Sequence, residues 1–184
     1  WELIIVDDLS PDESWEVIQS VHDPRIRAGH NAVNQGTYAT LQSALGLAKG
    51  DLIAVLNSDD FWEPTKLEVQ VQALADHPQA TFCFVRGWTA DENGRISQED
   101  DPHGDWPVGV RDYLPWLVYE NRILASGVVF RREGLRFQEQ ARYSGDWLAL
   151  LEAAQRGPGV GLSERLTAWR IHGHNTFSRS KGQV

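Results

Sequence analysis

AVLNSDDFWEP, residues 54–64, is the stretch on which the fold turns. It closes an apolar run over 52–56 that stops at Asn57, Ser58, Asp59 and Asp60, with Pro64 beyond. A short, continuous apolar run bounded by turn residues reads as a strand covered on both faces. The same pattern stands at the start of the chain. Residues 3–6 are apolar and partly β-branched, and they stop at Asp7 and Asp8.

Helical patterns separate these runs. Ser10 and Pro11, followed by Asp12 and Glu13, predict a helix start with an inner face of Trp15, Ile18 and Val17 or Val21. Residues 25–28 suggest a short strand. Tyr38, Leu41, Leu45 and Ala48 recur at helical spacing over 36–50, with Gly50 in the place favoured after a helix end. Pro64 predicts another helix, carrying Leu67, Val71, Leu74 and Ala75 on one face. Residues 81–88 read as a third strand, and 90–95 as a turn. Strand, helix, strand, helix, strand implies an α/β fold with a mostly parallel sheet flanked by helices. Ligands of such sheets bind beyond the carboxyl ends of the strands. Asp7–Asp8 and Asp59–Asp60 are therefore expected on one rim of one sheet.

The second half is less regular. Residues 99–109 are polar and read as an exposed loop; 110–119 suggest a helix despite Pro115, and 123–130 a strand. Residues 144–155 form an amphipathic helix with Trp147, Leu148, Leu151 and Ala154 inward; 166–171 suggest a further strand. The tail 173–184 is polar. We expect one domain over 1–184, with a nucleotide-binding half (1–90) and an acceptor-binding half with the tail (91–184).

A net charge of −9 and a pI near 5.1 argue against a nucleic-acid partner held by a basic face. A phosphate ligand stays open, because a divalent cation can supply local positive charge. The single cysteine, Cys83, allows no internal disulfide and points to a reducing compartment. The chain opens at Trp1, almost inside a strand, and contains no methionine, so sequence upstream is expected.

The acids admit two readings. Asp59 and Asp60 either cap the turn before Pro64 or hold a hard cation, which prefers carboxylate oxygen and relieves the repulsion of neighbouring charges. Asp7 and Asp8 either form a turn or bond a ligand. Asp146, in SGDWLALL, is a helix-start acid or a general base. RIHGHNTFS, 170–178, fits no zinc signature. No Gly-rich phosphate loop and no nucleophile elbow is present.

Taken together, IIVDDLSPD, the long segment NQGTYATLQSALGLAKGDLIAVLNSDD, SGDWLALL and WRIHGHNTFS resemble, in this order, the motifs of the family 2 glycosyltransferases. The resemblance implies a GT-A type Rossmann-like fold and an inverting transfer of sugar from a nucleotide sugar to an acceptor hydroxyl. It implies Asp146 as catalytic base and substrate contacts at Asp7, Asp8, Gly36, Asp59, Trp147 and Arg170. It also implies Mg²⁺ or Mn²⁺ held by Asp60, Asp59 and His172. The donor would be a UDP-, dTDP- or GDP-sugar, and the acceptor a sugar, a lipid-linked group or a protein. The setting would be bacterial cell-surface polysaccharide synthesis, in the cytoplasm or at the membrane periphery, with an oligomer allowed. Trp106, Tyr113, Trp116 and Tyr119 are the aromatic candidates for the acceptor side. The family's first strand has no counterpart here. Asn57 stands where Asp is frequent, Gly145 where an acid is common, and Leu41–Gln42 where Arg-Asn is common. These departures keep a catalytically inactive sugar- or partner-binding module as the alternative. A nucleotidyltransferase is the third reading.

Overall fold

The computed structural model describes residues 1–97, 101–141, 143–173 and 175. The expected tail therefore lies almost wholly outside the described residues.

Nine strands and five α-helices lie along the described residues, alternating strictly only as far as β3. β1 (Leu3–Asp7) and β2 (Ile26–His30) pair in parallel as a small sheet of their own, joined through α1 (Ser14–Ser20). α2 (Thr37–Leu47) leads to β3 (Leu52–Ala54), and the acidic tip leads straight into β4 (Phe61–Trp62). α3 (Lys66–Asp76) precedes the central strand β5 (Phe82–Ala90). Beyond it come β6 (Ile96–Ser97), β7 (Gly109–Arg111), α4 (Leu114–Tyr119), β8 (Val128–Arg131), α5 (Gly145–Arg156) and β9 (Gly159–Arg170).

The main sheet has the order β3-β8-β5-β9-β4, with β6 added to β5 and β7 to β9. β5 and β9 run parallel along most of their length, while β8 lies antiparallel between β3 and β5. Phe82, Cys83, Phe84 and Val85 are all fully buried, as a strand covered on both faces requires. On one side Phe82, Phe84 and Phe130 pack with Tyr113 and Leu117 of the α4 region and Leu150 of α5. On the other, Cys83, Val129 and Val160 pack against Leu74 of α3. Both halves of the chain thus share one sheet.

Several elements differ from the sequence reading. α1 starts at Ser14 rather than at Pro11, because Asp12 takes the Ser14 N–H in a turn, and the helix buries none of its residues. α2 ends at Leu47; Gly50 instead donates its N–H to Glu2. α3 turns Lys66, Gln70 and Leu74 inward and leaves Val71 and Ala75 exposed. α5 buries Ala149, Leu150, Ala153 and Ala154, one step round from the expected face, and leaves Leu148 exposed. The stretch expected as a helix from 110 splits into β7 and α4, with Pro115 in the helix's first turn. The loop after 101 is not wholly exposed, since His103 and Trp106 are buried in it. The two acidic pairs end strands of two different sheets: β1 pairs only with β2, and β3 only with β8, among the described residues.

Candidate functional site

The acidic tip is held from both directions. After β3 the chain turns back on itself, with the Asp60 N–H donating to the Asn57 carbonyl at 3.1 Å. It then enters β4, whose Phe61 and Trp62 pair with Ala168 and Thr167 near the end of β9. That pairing brings residues 170–175 beside Asp59 and Asp60, which lie more than a hundred residues away in sequence. The Arg170 backbone N–H donates to Asp60 Oδ1 at 3.1 Å, and Arg170 Nε donates to the Asp59 carbonyl at 2.8 Å. His172 Nε2 lies 3.2 Å from Asp59 Oδ2, and Asn175 Nδ2 donates to the same oxygen at 3.1 Å. On the opposite side the buried Ser126 hydroxyl donates to Asp60 Oδ2 at 2.5 Å. Burial pushes the Asp60 carboxyl above the usual carboxylate range, and the Asp59 charge adds to the shift. The hydrogen bonds from Ser126, Arg170 and Asn57 oppose it. Asp60 is therefore a carboxylate whose negative charge a neighbouring cation would relieve.

At the end of β1 the two acids divide their work. Asp7 is buried and its Oδ2 accepts the Ser10 N–H at 3.1 Å, which is the turn reading. Asp8 accepts the N–H groups of Gln35 and Gly36 and the Asn31 amide at 2.7–2.9 Å. Burial pushes its pKa upward, but these donors outweigh it and hold the carboxyl below its ordinary value. Gly36 adopts φ +87°, a left-handed conformation that places its N–H on Asp8 just before α2. Asp8 thus fixes the entry to α2 from the end of β1.

Asp146 sits in the first turn of α5 and accepts the Tyr38 hydroxyl at Oδ1, 2.9 Å away. Burial, with the Asp146 charge second, pushes the Tyr38 hydroxyl up to about 12, so it stays a donor. Gly145 permits this contact. A Cβ at that position would lie 2.6 Å from the Tyr38 ring, which leaves no room for the acid common there in the resembling family.

Asp7, Asp8, Asp59, Asp60 and Asp146 line one cavity of about 1840 Å³, together with Tyr38, Asn57 and Asn175. It opens between the β1 and β3 ends and the start of α5. Four of the sequence candidates are not in its wall. Gly36 acts through Asp8. Arg170 and His172 hold the acid pair from behind. Trp147 packs against the core and donates its indole N–H to the Leu117 carbonyl at 2.7 Å, away from the cavity, because the helix turns its next residue inward. Of the aromatic candidates, Tyr113 is fully buried and Trp106 almost so, both in the core, while Trp116 and Tyr119 are exposed. Tyr38 figured in the sequence only as a residue of an apolar helix face, and Ser126 was not singled out. They lie in ordinary helix and turn contexts, and only folding brings them to the acids. Asn175 falls in the C-terminal motif but carried no assigned role.

Among the described residues, no three of His, Cys, Asp and Glu converge as a ready ligand cage. The site still fits a magnesium-like ion, which needs only one or two carboxylates when phosphate oxygens complete its shell. Asp60, strained toward neutrality by burial, and Asp59 are the residues that would meet it.

The fold is α/β, with carboxylates from distant parts of the chain converging over one cavity, and its structural neighbours share a GT-A-type fold. The profile described as Glycosyl transferase family 2 matches residues 1–139, so the chain belongs to glycosyl transferase family 2. An uncharacterized protein of Mycobacterium tuberculosis is 31% identical over 181 residues, covering 96% of this chain and 51% of that protein. The putative colanic acid biosynthesis glycosyl transferase WcaA of Escherichia coli K12 is 44% identical over 73 residues, 38% of this chain and 25% of that protein. The crystal structure of S. aureus TarS 1-349 in complex with UDP-GlcNAc superposes with a TM-score of 0.77 at 17% identity, covering 96% of this chain and 51% of that one. At that identity the likeness speaks for the fold. The chain spans about half the length of the first relatives it matches. No helix among the described residues is long and apolar enough to cross a membrane.

Proposed function

We propose that the chain transfers a sugar from a uridine diphosphate sugar to an acceptor hydroxyl with inversion, using Asp146 as base and a divalent cation at Asp60 and Asp59. The observation that carries this reading is the convergence of Asp8, Asp60 and Asp146 on one cavity from three distant parts of the chain. The names of relatives support the donor. TarS has been crystallised with UDP and with UDP-GlcNAc, and a 41% identical stretch of 73 residues belongs to an E. coli UDP-Glc:alpha-D-GlcNAc-diphosphoundecaprenol beta-1,3-glucosyltransferase. A cell-surface glycan is the setting that the names of several relatives point to.

In this mechanism the β1 and α2 ends receive the nucleoside, with Asp8 keeping that rim in shape. Asp60 and Asp59 would hold a divalent cation, which would supply charge neutralisation for the departing diphosphate. Arg170, His172 and Asn175 hold the acid pair in place behind the cavity wall. Asp146, oriented by the Tyr38 hydroxyl, takes the proton from the acceptor hydroxyl as that oxygen attacks the anomeric carbon opposite the leaving group. One displacement inverts the centre, and the single base needs no partner acid, unlike the paired carboxyls of a glycosidase.

The test is Asp146→Asn, assayed with a panel of UDP-sugars and Mn²⁺ beside calorimetric titration of UDP. Transfer is expected to fall by about 10³-fold or more while UDP affinity holds. Equal turnover in the two proteins removes Asp146 as base. A wild-type protein that neither binds UDP nor turns over any donor favours the inactive sugar-binding module instead.

A further inference from the structure

Beside the large cavity lies a second, smaller pocket of about 430 Å³, lined by Asp105, Trp106, Pro107, Pro115, Trp116, Tyr119, Glu120 and Arg122. Arg122 belongs to the wall of both, so the two hollows are neighbours. The indole N–H of Trp147, next to Asp146, is anchored on the Leu117 carbonyl of α4 at 2.7 Å. The helix that carries Trp116 and Tyr119 is thereby fixed to the one that carries Asp146.

The chemistry of the wall is specific. Trp116 is 39% exposed and Tyr119 88%, so two aromatic faces stand in water where burial would normally take them. Pro107 and Pro115 add rigid apolar surface. Around this floor stand two carboxylates, Asp105 and Glu120, and one guanidinium, Arg122, whose Nε donates to Glu120 at 2.9 Å. The wall's two acids and one cation, already paired with Glu120, disfavour a phosphate or a carboxylate; a second guanidinium, Arg111, lies over the Trp116 ring at 5.8 Å and adds a donor for a hydroxyl-bearing ligand. These groups suit a neutral ligand with an apolar face and several hydroxyl groups at its edge. The C–H face of a pyranose ring lies against an aromatic plane, and its hydroxyls donate to carboxylates and accept from guanidinium. The volume is in the range of small-ligand sites.

We propose that this pocket is a sugar-ring subsite, in which Trp116 and Tyr119 bind a neutral pyranose of the acceptor glycan next to the reacting hydroxyl. The assignment to the acceptor rests on the transferase reading above. The sugar preference rests on the pocket itself.

The experiment uses saturation-transfer NMR of the whole chain with methyl glucoside, methyl N-acetylglucosaminide and a glucose disaccharide, beside UDP titration, for the wild type, Trp116→Ala and Tyr119→Ala. Tyr119 is so exposed that its replacement leaves folding intact. We expect saturation of at least one sugar by the wild type and its weakening by about three- to tenfold in both variants, with UDP affinity within twofold of wild type. Sugar signals unchanged in both variants, or no signal from any of the three sugars with the wild type, overturn the subsite. If the variants lose sugar binding but the wild type binds no UDP, the acceptor role falls together with the transferase reading.

Discussion

Single residues explain why this chain departs from its family's common pattern. Asn57 donates its side-chain amide to Asp60 Oδ2 at 3.3 Å, where an aspartate would place a like charge against an already buried carboxylate. Gln42, where asparagine is common, accepts the Phe137 N–H at 2.8 Å and serves the scaffold, while Leu41, where arginine is common, lines the cavity with an apolar side chain. Lys66 is the most unusual residue outside the site. It has no accessible surface, and its Nζ stands 4.0 Å from the Trp62 ring centre with no hydrogen-bond partner among the described residues. Burial brings its pKa down to about 7 from an ordinary 10.5. Between these values the unfolded chain holds more protons than the folded one, so stability rises with pH from about 7 upward. Below pH 7 both states are charged and the full cost of burying the ammonium applies. Above about pH 9 the buried Cys83 thiol, pushed up to about 12, works the other way, because only the unfolded chain loses that proton. Urea denaturation from pH 6 to 9 should show a gain of about 2 kcal/mol in the wild type over the upper two units. In Lys66→Met the rise should be absent and the protein more stable at pH 6. A variant that keeps the same slope would mean that Lys66 does not titrate in this range.

At the scale of elements, the loop from 101 to 108 is held to the sheet by a histidine. His103 Nε2 accepts the Gly87 N–H of β5 at 2.8 Å, so the neutral ring carries its proton on Nδ1. Asp101 anchors the start of the loop, accepting from Arg165 at 2.8 Å and from the His103 N–H at 2.9 Å. Burial holds the His103 ring down to about 4, against an ordinary 6.5, although the Asp101 charge pulls the other way. Unfolded histidine gains its proton near pH 6.5 while the folded ring does not, so stability is complete above that value and declines as pH falls toward 4. The carboxylates held below their usual range, Asp8 and Asp101, contribute their loss only at lower pH. His103→Gln, which keeps an acceptor for Gly87 without a titration, should flatten the decline between pH 6.5 and 4 in thermal melts. An unchanged acid limb would show that another group sets it. The pairing of β4 with β9 has a second consequence. Arg170 holds both acids through its backbone N–H and its Nε. Arg170→Ala keeps the backbone N–H on Asp60 but removes the Nε bond to the Asp59 carbonyl, and should weaken UDP binding in Mn²⁺ by about tenfold with little effect on the fold, read by calorimetry beside circular dichroism.

The whole molecule is built unevenly. β5 is buried on both faces, whereas the β1–α1–β2 layer buries only Asp7. Free energies of local opening follow buried contacts. Amides of β1, α1 and β2 should exchange about 100-fold or more faster than those of β5, and UDP should slow them selectively, because Asp8 and the neighbouring cavity wall belong to that layer. Uniform protection across both sheets would contradict this division of stability.

Much of this design was legible in the order of residues. Period and composition place strands at 3–6, 52–56 and 81–88, and helices within 36–50 and at 144–155, because apolar repeats report which face is buried. Acids ending two apolar runs, with the later SGDW stretch, named all five carboxylates that line the cavity, Asp7, Asp8, Asp59, Asp60 and Asp146. What sequence could not give was proximity. Tyr38 meets Asp146 across 108 residues, and Ser126 meets Asp60 across 66. Neither residue carries a local signature, since hydroxyls are common in helices and turns. The exposed aromatics of α4 read the same in sequence as the buried Tyr113 beside them, and only packing separates them. Local patterns decide which face of an element is apolar. Which elements then close over one another depends on strand pairing at long range, and here β4 against β9 assembles the acid pair with its clamp.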